Sequence, residues 1–173
     1  MDQDQDTQTV RRAKQQAYRL LAYRNKTSSE LRDHLQRRGY TVAIIDEVLR
    51  QLASDGYIDD RKLALDWARY RLQAKPLGRR RLAWELRRRG VASESVEEVL
   101  REVYQEFDEV ALAEQAARKR LGSKALPRSP RDRQRYVRHL LSLGFDTETV
   151  ATALASLGCP DDAQELTSSG DTC

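Results

Sequence analysis

Apolar residues recur along this chain at spacings of three and four, the period of an amphipathic helix, and the stripes come round three times. Gly39, Gly90 and Gly144 set the copies in register. Eight residues before each glycine stand Leu31, Leu82 and Tyr136, and four before it Leu35, Leu86 and Leu140. The next residue is apolar each time: Tyr40, Val91, Phe145. Further on, the sixth position holds Ile45, Val96 and Val150, the tenth Leu49, Leu100 and Leu154, and the thirteenth Leu52, Val103 and Leu157. A pattern recurring at this length marks tandem repeats, each burying its apolar face on its neighbours.

The offsets have a physical cause. A glycine in the left-handed conformation just past a helix end makes the residue four before it and the residue after it the two that touch in a Schellman motif. The predicted clasps are Leu35 with Tyr40, Leu86 with Val91, and Leu140 with Phe145. Each copy then reads as helix, glycine stop, helix. Thr27-Ser28-Ser29-Glu30 is a capping box ahead of the first such helix. Thr41 and Asp146 are expected to cap the helix after the glycine, and Ser93 to do so in the middle copy, where Ala92 takes the equivalent place. Another stripe lies upstream of each pair: Ala17, Tyr18, Leu20 and Leu21; then Leu63, Ala64, Trp67, Ala68 and Leu72; then Leu112, Ala116 and Leu121. Asp55-Gly56 is a turn signal closing the first copy, and Asp59 or Asp60 is placed to cap the helix opening the second. The reading is an all-α protein of three tandem three-helix repeats, at 10–56, 57–106 and 107–157, stacked into an elongated, curved helical array. The polar ends, 1–9 and the acidic 158–173, are expected to be disordered, and 122–130, with Pro127 and Pro130, to form a loop.

Charge changes this picture more than composition does. Of 173 residues, 39% are hydrophobic and 34% charged, and the net charge is only +4, modest for a dedicated nucleic-acid binder. The charge comes in blocks: residues 1–60 hold ten basic and ten acidic groups, 61–90 eleven and two, 91–110 one and seven, 111–140 nine and two, and 141–173 none and six. Catalytic chemistry finds no foothold. Cys159 and Cys173 show no metal-ligand spacing, and no serine or cysteine has a recognisable base partner. Asp59 and Asp60 lack a phosphate-cradling loop and read as caps. His34 and His139 both fall five residues before their glycines, where the middle copy has Glu85, and read as repeat echoes at a half-exposed site. No secretory leader or membrane-length apolar run is visible. The expectation is a non-enzymatic, cytoplasmic protein with no cofactor, no metal and no membrane partner.

The run Leu52-Ala53-Ser54-Asp55-Gly56-Tyr57-Ile58-Asp59-Asp60 is followed by Leu63, Ala64, Trp67 and Arg71, and then by Gly78, Arg81, Leu82, Glu85, Leu86, Gly90 and Val91. In this it resembles the RecX family of bacterial recombination regulators. The resemblance covers 17–105 most strongly, with the third copy similar to the family's looser C-terminal repeat. It implies a monomeric modulator, usually an inhibitor, of the RecA recombinase. Such a protein binds the RecA–DNA filament along its groove, limits filament extension, strand exchange and ATP hydrolysis, and so modulates DNA repair and recombination.

The candidate contact surface is the helix at 78–89. With Leu82 and Leu86 marking its buried side, Arg80, Trp84, Arg87 and Arg88 fall opposite. Guanidinium groups bond phosphate or carboxylate bidentately, and an indole can stack on a base or fill a partner pocket, unless Trp84 instead packs on a neighbouring repeat. A second basic group includes Arg118, Lys119, Arg128 and Arg131. Through such faces single- or double-stranded DNA is a further candidate partner, and non-specific DNA binding independent of RecA is the alternative function. Operator recognition is disfavoured, because the helices after the glycine turns carry Asp46, Glu47, Glu97 and Glu98 where base-reading side chains would be needed. A helical adaptor for an unrelated protein is the third class.

Overall fold

The computed structural model describes residues 2–122 and 130–158. Among these residues there are nine helices: α1 (Asp2–Tyr23), α2 (Ser28–Arg37), α3 (Val42–Ser54), α4 (Asp60–Ala74), α5 (Arg79–Arg88), α6 (Ser93–Glu106), α7 (Glu109–Leu121), α8 (Pro130–Ser142) and α9 (Thr147–Ser156). In chain order they are three triplets, each with its glycine stop between the second and third helices. The chain divides into two compact units, one drawn from Met1–Trp67 and Leu86–Val96, the other from Ala68–Glu85 and Glu97–Cys173. The division runs through α4, α5 and α6 and so does not coincide with the expected repeat boundaries.

In the first unit, α1 lies against α2 and α3. Ala13 and Ala17 from α1, Leu31 and Leu35 from α2, and Ile45, Val48, Leu49 and Leu52 from α3 make one buried core, closed by Ile58. In the second unit α7 packs on α8 and α9, with Leu112, Ala113, Ala116, Leu140, Phe145, Val150 and Leu154 buried. Almost every apolar position of the repeat is thus inside; Tyr40, Tyr136 and Leu157 are half-buried.

All three predicted stops form. The Tyr40, Val91 and Phe145 N–H groups donate to the Leu35, Leu86 and Leu140 carbonyls at 3.3, 3.3 and 3.4 Å, while Gly39, Gly90 and Gly144 donate to Gln36, Arg87 and Leu141 at 2.9 Å each. A fourth stop of the same kind closes α3, where Tyr57 N–H meets the Leu52 carbonyl at 2.8 Å.

Two of these turns also receive the start of another helix. Within the second unit, Gly78 N–H donates to the Leu143 carbonyl at 3.0 Å and Arg80 N–H to the Gly144 carbonyl at 3.2 Å, so donors at the start of α5 are satisfied by acceptors left at the end of α8. A Cβ on Gly144 would strike the Arg81 backbone, which is why the smallest residue stands there as well as a left-handed one, φ +90°. Within the first unit the Gly90 turn holds the start of α2: a Cβ on Gly90 would strike Ser29, and the Thr27 hydroxyl donates to the Arg89 carbonyl at 3.0 Å. The same hydroxyl accepts from Glu30 N–H at 3.1 Å, completing the capping box and leaving Thr27 only 2% exposed.

Several local expectations are corrected. Residues 2–9, expected to be a disordered tail, are the first turns of α1; none of them is glycine or proline, and the stripe of Val10, Ala13 and Ala17 anchors the helix that follows. Thr41 occupies the cap position of α3 but its side chain makes no capping bond. Ser93 is already inside α6, with the Ala92 carbonyl accepting from Val96 N–H, so that helix starts without a side-chain cap from either. Asp146 does cap α9, accepting from Thr149 N–H at 2.7 Å. Asp59 caps α4 as expected, accepting from Lys62 N–H at 2.8 Å, whereas the Asp60 carboxylate accepts from Ser28 N–H at the start of α2, also at 2.8 Å. Most of the expected loop and the acidic tail, with Cys159 and Cys173, lie outside the described residues.

Candidate partner-binding faces

The arginines of α5 divide by what they touch. Arg79 gives its backbone N–H and its Nε to the Glu109 carboxylate, at 2.8 and 2.7 Å, and its guanidinium lies 4.6 Å from the Tyr104 ring centre. Arg81 bonds Glu85 at 3.0 Å and lies 4.4 Å over the Trp84 ring. Glu85 also takes Arg71 at 2.9 Å; burial works to raise its pKa, but the two guanidinium bonds prevail and hold it below the usual carboxylate range. Just after the helix, Arg89 lies 4.7 Å over Trp67. Arg79, Arg81 and Arg89 thus serve the fold through ion pairs with half-buried carboxylates or by stacking on aromatic rings.

The four residues proposed from sequence stand elsewhere on the helix. Arg80, Arg87 and Arg88 are exposed, and Trp84 is 44% exposed with one face beneath Arg81. Arg80 and Trp84, one turn apart, belong to the second unit; Arg87 and Arg88, in the last turn, belong to the first. Of the second basic group, Arg118 and Lys119 are exposed in the last turn of α7, where Arg118 lies 3.6 Å from Glu114, and Arg131 is exposed in the first turn of α8. Arg128 is outside the described residues. Arg120, 5.8 Å from the Tyr136 ring centre, bridges α7 and α8 in the same unit.

Sequence reasoning passed over a cleft of about 360 Å³ in the first unit, lined by Gln16, Arg19, Leu20, Tyr23, Arg24, Lys26, His34 and Arg38. The first sixty residues balance in charge, so counting gave no signal. Five of the ten acids there are committed to other places, Asp55 to Lys14 at 2.8 Å, Asp46 to Arg32 at 2.6 Å, Glu47 to Arg50 at 2.6 Å, and Asp59 and Asp60 to helix starts, while Glu30 pairs with Arg24 of the cleft at 3.3 Å. Among the described residues, no group of three or more His, Cys, Asp or Glu is placed to hold a metal ion, and no helix is long and apolar enough to cross a membrane.

Comparison with known proteins gives a consistent result. Residues 13–52 match the family model for the first three-helix domain of RecX, and 59–100 that for the second. The chain is 35% identical over 145 residues to the regulatory protein RecX of Pelodictyon phaeoclathratiforme, covering 83% of this chain and 88% of the relative. It is 33% identical over 154 residues to that of Prosthecochloris aestuarii, covering 89% and 97%. The crystal structure of RecX from Lactobacillus salivarius superposes with a TM-score of 0.76 at 20% identity, covering 87% of this chain and 97% of that one. A second RecX crystal structure gives 0.72 at 20% identity, covering 83% and 70%.

Proposed function

This chain belongs to the RecX family of regulatory proteins, and on that premise we propose that it binds the RecA–DNA filament as a monomer, limits its extension, and thereby lowers strand exchange and ATP hydrolysis. The observation that carries the reading is the division of labour on α5. Arg79 and Arg81 bond Glu109 and Glu85, while Arg80 stands exposed in the same unit as the half-exposed Trp84, and Arg87 and Arg88 are exposed in the other unit. Exposed arginines with an aromatic anchor are the residue types that dominate binding energy at protein interfaces, and they suit a filament presenting phosphates and carboxylates.

The test is RecA's DNA-dependent ATP hydrolysis with substoichiometric amounts of this protein. Suppression is expected, and R80E/R87E/R88E should lose it together with the capacity to retain RecA in a pull-down. Full RecA activity in the presence of the parent protein would remove the reading; RecA retained equally by the charge-reversed variant would leave the partner and remove the face. As an independent, sequence-reading DNA binder the chain is poorly equipped, because Asp46, Glu97 and Glu98 are exposed on α3 and α6, where phosphates would repel them.

A further inference from the structure

We propose that the cleft formed by α1, the segment after it and α2 is a subsite for single-stranded nucleic acid, with Arg19, Lys26 and Arg38 on a backbone phosphate and the Tyr23 ring beneath the adjoining base. The inference uses residues other than those of α5 and does not depend on RecA being the partner.

Three observations carry it. First, the positive charge is largely uncompensated: among the described residues no carboxylate forms an ion pair with Arg19, Lys26 or Arg38, though Lys26 also borders a neighbouring hollow that holds Asp59 and Asp66, and Arg24 pairs with Glu30 at 3.3 Å. The middle repeat treats the equivalent place differently, putting Glu85 where the first has His34 and using it to hold two arginines. Beside the cations of the cleft stands the half-buried His34, whose imidazole is held below the usual histidine range by burial first and then by the charges of Arg38, Arg37 and Lys26. Those neighbouring cations, not the burial, are what favours an anion.

Second, Tyr23 at the end of α1 is 95% exposed. A ring left in water beside a basic cleft is the platform on which an unstacked base sits, and a duplex, whose base faces are covered, makes no use of it. Third, the opening, about 360 Å³ with Leu20 in its lining, is at the small end of ligand pockets and suits a single nucleotide more than a protein side.

The experiment is fluorescence anisotropy with a fluorescein-labelled oligothymidylate titrated by the full chain across a range of salt, with RecA absent. Arg19→Gln with Arg38→Gln should weaken binding about tenfold and flatten the salt dependence by about 0.7 in log–log slope, the share of one phosphate. Tyr23→Ala should weaken binding about fivefold or more and leave the slope unchanged. Helical circular dichroism, unaltered in each variant, shows that the fold is kept. Parent-like affinity in all variants overturns the proposal. Loss in the arginine variant alone, with inorganic phosphate competing for the cleft and Tyr23→Ala binding like the parent, also overturns it, since the cleft then takes the anion and reads no base. If the same variants keep oligothymidylate binding but lose suppression of RecA, the cleft belongs to a protein contact and the nucleic-acid assignment falls. If instead oligothymidylate binding behaves as expected while RecA is unaffected by the parent chain, this subsite stands and the RecA reading fails.

Discussion

Gly39 and Gly144 hold the same place in two copies of the repeat, yet replacing them should have unequal effects. Both are left-handed, φ +86° and +90°, so an L side chain is strained at either by about 1 kcal/mol. Around Gly39 a Cβ meets nothing within 4 Å, whereas at Gly144 it would collide with the Arg81 backbone at the start of α5. Gly39→Ala should therefore lower stability in urea by about 1 kcal/mol, and Gly144→Ala by about 3 kcal/mol or more, since the backbone cannot give way as a flexible side chain can. Equal losses would show that the α5 docking contributes nothing. The glycine stops were legible because their hydrogen bonds close within six residues. The second demand on Gly144 was not, because Arg81 lies 63 positions away along the chain. Thr27 teaches the same lesson: its bond to Glu30 is written in four consecutive letters, its bond to Arg89 in none.

At the scale of the helix, starting signals proved less uniform than stops. Asp146 and Thr41 are both cap residue types in equivalent places, but only Asp146 accepts a backbone N–H. Asp146→Ala is expected to cost about 1 kcal/mol and Thr41→Ala a few tenths at most, measured by thermal or urea unfolding. A comparable loss at both would mean that Thr41 caps in solution. Apolar periodicity placed α2, α3, α5, α6, α8 and α9 because each has one buried face fixed by the repeat. It stopped short on α1, whose first turns carry no apolar stripe and whose helicity follows from continuity with the anchored part. On α5 the periodicity separated the buried leucines from the basic side correctly. It did not separate Arg79 and Arg81, which serve the fold, from Arg80, since that depends on where Glu109 and Glu85 stand.

For the whole molecule, stability should respond to pH in two windows. Burial, followed by neighbouring cations, holds His34 and His139 below their ordinary value of 6.5. A histidine depressed in the fold binds its proton more readily when unfolded, so stability is complete above about pH 6.5 and declines as pH falls through that value toward the folded pKa. Glu47, Glu106 and Asp146 are lowered, by bonds from Arg50, Arg69 and the Thr149 backbone respectively. Their contribution is present above the unfolded carboxylate values and lost as pH falls through the folded ones. The urea midpoint should begin to drop between about pH 7 and 6, and drop again below about pH 4.5. His34→Gln with His139→Gln should remove the first decline and leave the second, whereas a midpoint flat down to pH 5.5 in the parent would contradict the assignment.

The sequence by itself determined the helices, their glycine stops, the register of the three copies and most of the buried positions. These depend on interactions spanning a turn or two of chain, which apolar spacing and cap residues record directly. Membership in a family of regulators was also legible, through motifs at fixed spacing. Only the tertiary structure decided which charges are used up and which are left over. A count along the chain sees no direction, so ten bases against ten acids in the first sixty residues looked neutral, while packing sent five of the acids to other partners and left Arg19, Lys26 and Arg38 around one cleft. Whether a charge is taken up by a neighbour is fixed by residues far away in sequence, as it is by Glu109 for Arg79 on α5.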